Sequence, residues 1–167
     1  MKKLFLLIPF ILFIGCGEGI EPVVNTAGFS GKIVFIGEWP DSIVRTHLVI
    51  FESPLSSAND FSLQNLKFVS VEIPSASSEF QFSSTDSSVI PGNGKFSPGE
   101  YAYVAVAQSK TTEVSLNRAD WTVAGVYYVN GDTTNPGKLI IPGNTFLENI
   151  NITCDFNNPP PQPPGGN

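Results

Sequence analysis

The stretch Ser97-Pro98-Gly99-Glu100-Tyr101-Ala102-Tyr103-Val104-Ala105-Val106-Ala107 decides how the rest of the chain is read. Pro98 presets φ, Gly99 suits a turn, and the aromatic, apolar and β-branched residues after them fill a pleated, buried surface. It reads as a turn entering a central strand. Trp121 to Val129 is its predicted partner. Upstream, Phe29 to Ile36 places Gly31, Ile33 and Phe35 on one face, and Val44 to Phe51 places Val44, Leu48 and Ile50 on one face. Phe68 to Ile73, with Val69, Val71 and Ile73 pointing one way, and Glu79 to Phe82 are shorter strands; Lys138 to Ile141 is brief. Ile150, Ile152, Cys154 and Phe156 then alternate with polar residues in a last strand. No segment sustains a helical period, so the chain is predicted to be an all-β, two-sheet Greek-key sandwich of about seven or eight strands.

The 167 residues suit one domain. Lys2 and Lys3 followed by apolar Leu4 to Ile14 form an export signal, too short for the roughly 20 residues that a membrane-spanning helix needs. Phe13-Ile14-Gly15-Cys16 resembles the lipobox of bacterial lipoproteins, with Phe13 standing where that motif usually has Leu. The resemblance implies that Cys16 is acylated and becomes the mature N-terminus, several acyl chains together giving durable membrane attachment. The alternative is an ordinary cysteine paired with Cys154 in an oxidising compartment. The predicted organisation is a signal over 1–15, a polar tether over 16–27, a sandwich over 28–156 and a Pro-rich, solvated tail over 157–167.

Gly28-Phe29-Ser30-Gly31-Lys32-Ile33-Val34-Phe35 and Phe96-Ser97-Pro98-Gly99-Glu100-Tyr101 resemble two strand regions of transthyretin-like or carboxypeptidase-regulatory-like domains. Those domains pair a Gly-containing first strand within the sandwich and enter a central strand through a Pro-Gly-x-Tyr step. The resemblance implies a β-sandwich serving as an accessory, carbohydrate-binding or spacer module. It implies no activity, since a fold hosts many functions.

Enzyme chemistry recedes by subtraction. His47 is the sole histidine and, in strand register with Arg45 and Val49, is predicted to be half-exposed rather than catalytic. No Cys-x-x-Cys, His-Glu-x-x-His or phosphate loop occurs. Gly28 to Lys32 approaches a nucleophile elbow but has Lys in place of the second Gly and precedes a strand. Glu38, Asp41 and Asp132 read as solvated turn acids, Asn151-Ile152-Thr153 as a chance sequon, and Cys154 as a buried thiol. No catalytic residue, metal site or cofactor is expected. A surplus of apolar faces remains: either Ser53 to Asn65 covers the second face of the central sheet, the favoured reading, or Tyr101, Tyr103, Trp121 and Tyr127 form an exposed patch for sugar or protein.

Loss of Lys2 and Lys3, the leader's only charged residues, takes the formal charge from −6 to −8, which disfavours nucleic acid and direct attraction to an anionic membrane. The expectation is a non-enzymatic binding or structural accessory of the cell envelope, lipid-anchored and partnered by an envelope protein or polysaccharide. Gly17, carrying no retention signal after the cysteine, points to the outer membrane. Mass spectrometry of the mature protein should find an acylated Cys16 at its N-terminus, and Cys16→Ser should release the protein from membranes; an unmodified cysteine refutes the anchor.

Overall fold

A computed structural model describes residues 26–92 and 96–166; the leader, Cys16 and the tether through residue 25 lie outside the described residues. Its strands are β1 (Gly28–Ile36), β2 (Arg45–Phe51), β3 (Leu66–Ser70), β4 (Glu79–Ser83), β5 (Ser88–Ile90), β6 (Gly99–Tyr101), β7 (Tyr103–Ser109), β8 (Trp121–Val126), β9 (Leu139–Ile141), β10 (Phe146–Leu147) and β11 (Ile152–Asp155). Helical structure among the described residues is limited to two short 3-10 turns, Ala58–Asp60 and Arg118–Asp120.

One layer is a five-stranded sheet in the order β5-β3-β2-β7-β8, antiparallel throughout. Within it β2, β3 and β5 are neighbours in succession and β7 returns by a long connection to lie beside β2, which is Greek-key order. The facing layer is built on β1, antiparallel to β4 and parallel to β10 near its start and β11 near its end. A small β6-β9 pair completes the all-β sandwich.

Alternation explains which residues fill the space between the layers. Phe29, Ile33 and Phe35 of β1 meet Leu48 and Ile50 of β2, Phe68 of β3, Val104 and Val106 of β7, and Ile152 and Cys154 of β11. Phe29 is at the centre, edge-on to Phe68 at 5.2 Å and to Phe96 at 4.9 Å between ring centroids. At about 1.5–3 kcal/mol for each large apolar side chain taken from water, this layer is the principal source of stability. Gly31 lets the backbones close up: a Cβ there would lie 2.1 Å from the Ile150 carbonyl oxygen.

Four of the strand expectations need correction. The stretch from Gly99 to Ala107 is two strands, because the chain changes sheets at Ala102. Residues before it pair with β9, and residues after it pair with β2 and β8. Strand β8 does not alternate evenly, because Ala107 faces Val123 while Val106 faces Gly125, leaving Ala124 as an extra residue. Such a bulge reverses every face beyond it. Strand β3 stops at Ser70, whose hydroxyl accepts from the Leu48 amide at 2.9 Å; Val71 is then exposed, and Ile73 enters the inner core with Phe68. Val44 likewise precedes β2 and is exposed.

The Pro-rich segment departs from the predicted solvated tail. Pro163 is buried, and the Gln162 side chain bonds to both main-chain groups of Val123. Pro removes ladder donors, but a side-chain amide restores them.

Gly125 closes the contact between the layers: a Cβ there would lie 2.5 Å from Cys154 Sγ and 2.8 Å from the Thr153 carbonyl oxygen. Gly125→Ala should lower stability by about 1–3 kcal/mol through overpacking. A reduced urea midpoint with unchanged slope reads this out; an unaltered midpoint contradicts it.

Candidate functional site

The outer face of the five-stranded sheet carries a second apolar cluster, formed by Val49 and Phe51 of β2, Tyr103, Ala105 and Ala107 of β7, and Trp121, Val123 and Val126 of β8. Two irregular segments lie across it. Residues 52–65 bring Leu55 and Phe61 onto it, Phe61 reaching Phe51 at 5.6 Å between ring centroids. Asn65 folds this segment, its amide oxygen accepting from the Ser53 N–H at 2.7 Å and its amide nitrogen donating to the Asp60 carbonyl at 2.9 Å. The loop from 110 to 117 is held by Arg45, which donates to the Thr112 carbonyl at 2.8 Å, and by the Trp121 indole, which donates to the Ser115 carbonyl at 2.7 Å.

Both segments line one cleft, the first with Phe61 and Leu63 and the second with Val114, Ser115 and Leu116. This cleft, of about 110 Å³, opens onto the sheet and is floored by Val49, Val69, Ala107 and Trp121. Its rim is formed by Leu63, Val89, Val114 and Leu116, each at least 50% exposed. Scattered exposed apolar residues are ordinary, but four around one apolar cleft form a contiguous patch of the kind that contacts other molecules. The larger open groove beside β1 and β4, about 630 Å³, differs in kind. Its polar groups are engaged locally: Asn151 Oδ1 accepts from the Lys32 amide at 3.0 Å, and Lys32 faces Glu79 at 3.5 Å.

The structure disperses the four aromatic candidates. Tyr101 is 5% exposed in the inner core, where its hydroxyl donates to the Ser97 carbonyl at 2.7 Å, while Tyr103 and Trp121, 6% and 7% exposed, belong to the outer cluster. Tyr127, beyond the bulge, packs on the inner core and is half-buried. The crossing at Ala102 separates Tyr101 from Tyr103, and the bulge at Ala124 separates Tyr127 from Trp121. The segment from 53 to 65 covers part of the outer face, as expected, so these residues form no exposed ring platform.

His47 also departs from expectation. It is buried beside Trp121, and its Nδ1 lies 2.9 Å from the Ser70 carbonyl oxygen. A carbonyl only accepts, so Nδ1 carries the hydrogen and His47 serves as a strand-to-strand tie. Asp132 Oδ1 accepts from Thr134 Oγ1 at 2.6 Å and from the Thr134 amide at 2.8 Å, holding its carboxyl down at about 2 and fixing the turn. Glu38 and Asp41 are exposed, and no three His, Cys, Asp or Glu side chains converge among the described residues.

The cleft rim escaped the sequence reading, although Val114 and Leu116, two apolar residues at i and i+2 in an otherwise polar loop, signalled it. No protein-family model, curated protein or solved structure matches this chain, so a functional reading rests on its own residues.

Cys154 is a fully buried thiol, unpaired among the described residues, whose pKa burial pushes up to about 12 from 9. A folded value above the unfolded one means that its contribution is complete below about pH 9 and lost as pH rises toward 12. The native chain should resist alkylation at about pH 8 and react after unfolding. Cys154→Ser should lose less stability between pH 9 and 12 than the unaltered chain; an equal loss contradicts the assignment.

Proposed function

We propose that the chain is a lipid-anchored cell-envelope protein whose sandwich is a non-enzymatic binding module, docking an apolar side chain of an envelope protein partner in the cleft between residues 52–65 and 110–117. The observation that carries this reading is the ring of Leu63, Val89, Val114 and Leu116 exposed around an apolar cleft. A cavity of roughly 150 Å³ holds one benzene, so a cleft of about 110 Å³ suits a single small anchor rather than a whole acyl chain. A buried anchor with an apolar surround is the usual centre of a protein–protein contact.

The attachment at Cys16 and an outer-membrane address rest on the lipobox resemblance, and the likeness to transthyretin-like accessory domains agrees with a binding role. Carbohydrate recognition through Tyr101, Tyr103, Trp121 and Tyr127 is the weaker reading, because sugar stacking needs exposed ring faces and three of these residues are at most 7% exposed.

A photo-crosslinking residue placed at Leu116 in the full chain, in its native cells, should give one discrete protein adduct. The same residue at Ile140, exposed on the small β6-β9 pair, should not. Val114→Asp should abolish the Leu116 adduct without changing the melting temperature. Adducts of equal yield from both positions, or none from Leu116, overturn the reading.

A further inference from the structure

Strand β8 is the edge of the five-stranded sheet, and its outer side is occupied by a segment that is neither strand nor helix. Gln162 Oε1 accepts from the Val123 N–H at 2.8 Å, and Gln162 Nε2 donates to the Val123 carbonyl at 2.9 Å. An antiparallel neighbour exchanges both bonds with one residue in the same way, so the primary amide, whose one N–H lies cis to its C=O, reproduces the donor and acceptor of a strand residue. A second bond from Nε2, to the Pro160 carbonyl at 3.0 Å, fixes the side chain's direction.

The next residues are read as closely. Pro163 is buried, and its carbonyl accepts from Arg118 Nη2 at 3.1 Å. Arg118 is itself 5% exposed; its Nη1 donates to the Trp121 carbonyl, and its Nε has no partner among the described residues. Gly166 lies against the guanidinium, where a Cβ would fall 2.6 Å from Nη2, and a Cβ on Gly165 would fall 2.6 Å from Ala58 Cβ. Tyr103, Val126 and Tyr128 wall the space beside Pro161 and Pro163. Each feature selects for something: an amide before proline, a proline carbonyl, and two residues without side chains. Extended proline-rich segments are commonly bound in aromatic-walled grooves, because their rigidity reduces the entropy lost on docking.

We propose that the β8 edge with Arg118 and Tyr103 is a binding site for a proline-rich polypeptide carrying Gln-Pro-Pro-Gly-Gly, extended through its glutamine and first proline and turning at Pro-Gly, where Gly165 has φ +79°; the site is filled here by the chain's own residues 162–166. This site is separate from the cleft around Leu116 and stands independently of it. Tethering gives the resident segment an effective concentration on the order of millimolar, so a partner displaces it only when presenting the same pattern at comparable local concentration.

The test uses the full chain, unaltered and as Gln162→Ala, with a fluorescent synthetic peptide of residues 157–166. In the unaltered chain the Val123 amide should be protected from hydrogen exchange. Gln162→Ala should speed its exchange by about tenfold, as expected when one or two hydrogen bonds are lost. Added peptide should restore protection and bind the Gln162→Ala chain about tenfold more tightly than the unaltered chain, whose site is filled. A peptide with alanine in place of its glutamine should do neither. Val123 exchange unchanged by Gln162→Ala, or not restored by saturating peptide, overturns the proposal.

Discussion

Strand β7 must be covered on both faces, and the rest of the structure follows from that constraint. All seven of its residues are buried: Val104 and Val106 face the inner core, while Tyr103, Ala105 and Ala107 face the outer cluster. Its backbone groups are shared between β2 on one side and β8 on the other. A two-layer sandwich covers one face of each sheet, so the second face of β7 requires a third layer. Residues 52–65 and 110–117 supply it, with only the short 3-10 turn at Ala58–Asp60 as helical structure and no strand.

That covering was partly legible in the sequence. The inward sets Ile33 and Phe35, Leu48 and Ile50, and Ile152 and Cys154 follow from strict alternation, since period two leaves no choice of face once one residue is buried. The partnership of β7 with β8 was legible for the same reason. Illegible were the events that change parity or sheet: the crossing at Ala102 and the extra residue at Ala124. Both occur inside runs whose composition is uniformly suited to a strand, and they are decided by which backbone the chain meets rather than by local preference. Because the four aromatic candidates sit on either side of those two points, their apparent shared face dissolved. The docking of 159–166 was hidden differently, since prolines announce that no ladder forms and say nothing of a glutamine amide standing in for one.

The two layers are held by different physics. The inner one is a cluster of large rings and branched chains, with Phe29 touching Phe68, Phe82 and Phe96, and it needs few polar ties. The outer one depends on side chains that bond to main-chain carbonyls: Arg45 to Thr112, Trp121 to Ser115, Asn65 to Asp60, and Arg118 to Trp121 and Pro163. Such bonds contribute about 1 kcal/mol each, somewhat more where the donor is charged, because water competes for the same groups when they are released.

Local opening follows where buried apolar contact is sparse and hydrogen bonds are accessible to solvent. Lifting residues 110–117 breaks the Arg45 and Trp121 ties while leaving Val104, Val106 and the phenylalanine cluster enclosed. Freeing 159–166 uncovers Val123 and Arg118 but leaves β8 paired to β7 along its other side. By that criterion the outer layer opens before the inner core, and both the Leu116 cleft and the β8 edge lie within it. A fold that gives its regular strands to one core and leaves its remaining face to hydrogen-bonded loops has both surfaces proposed for binding where opening costs least.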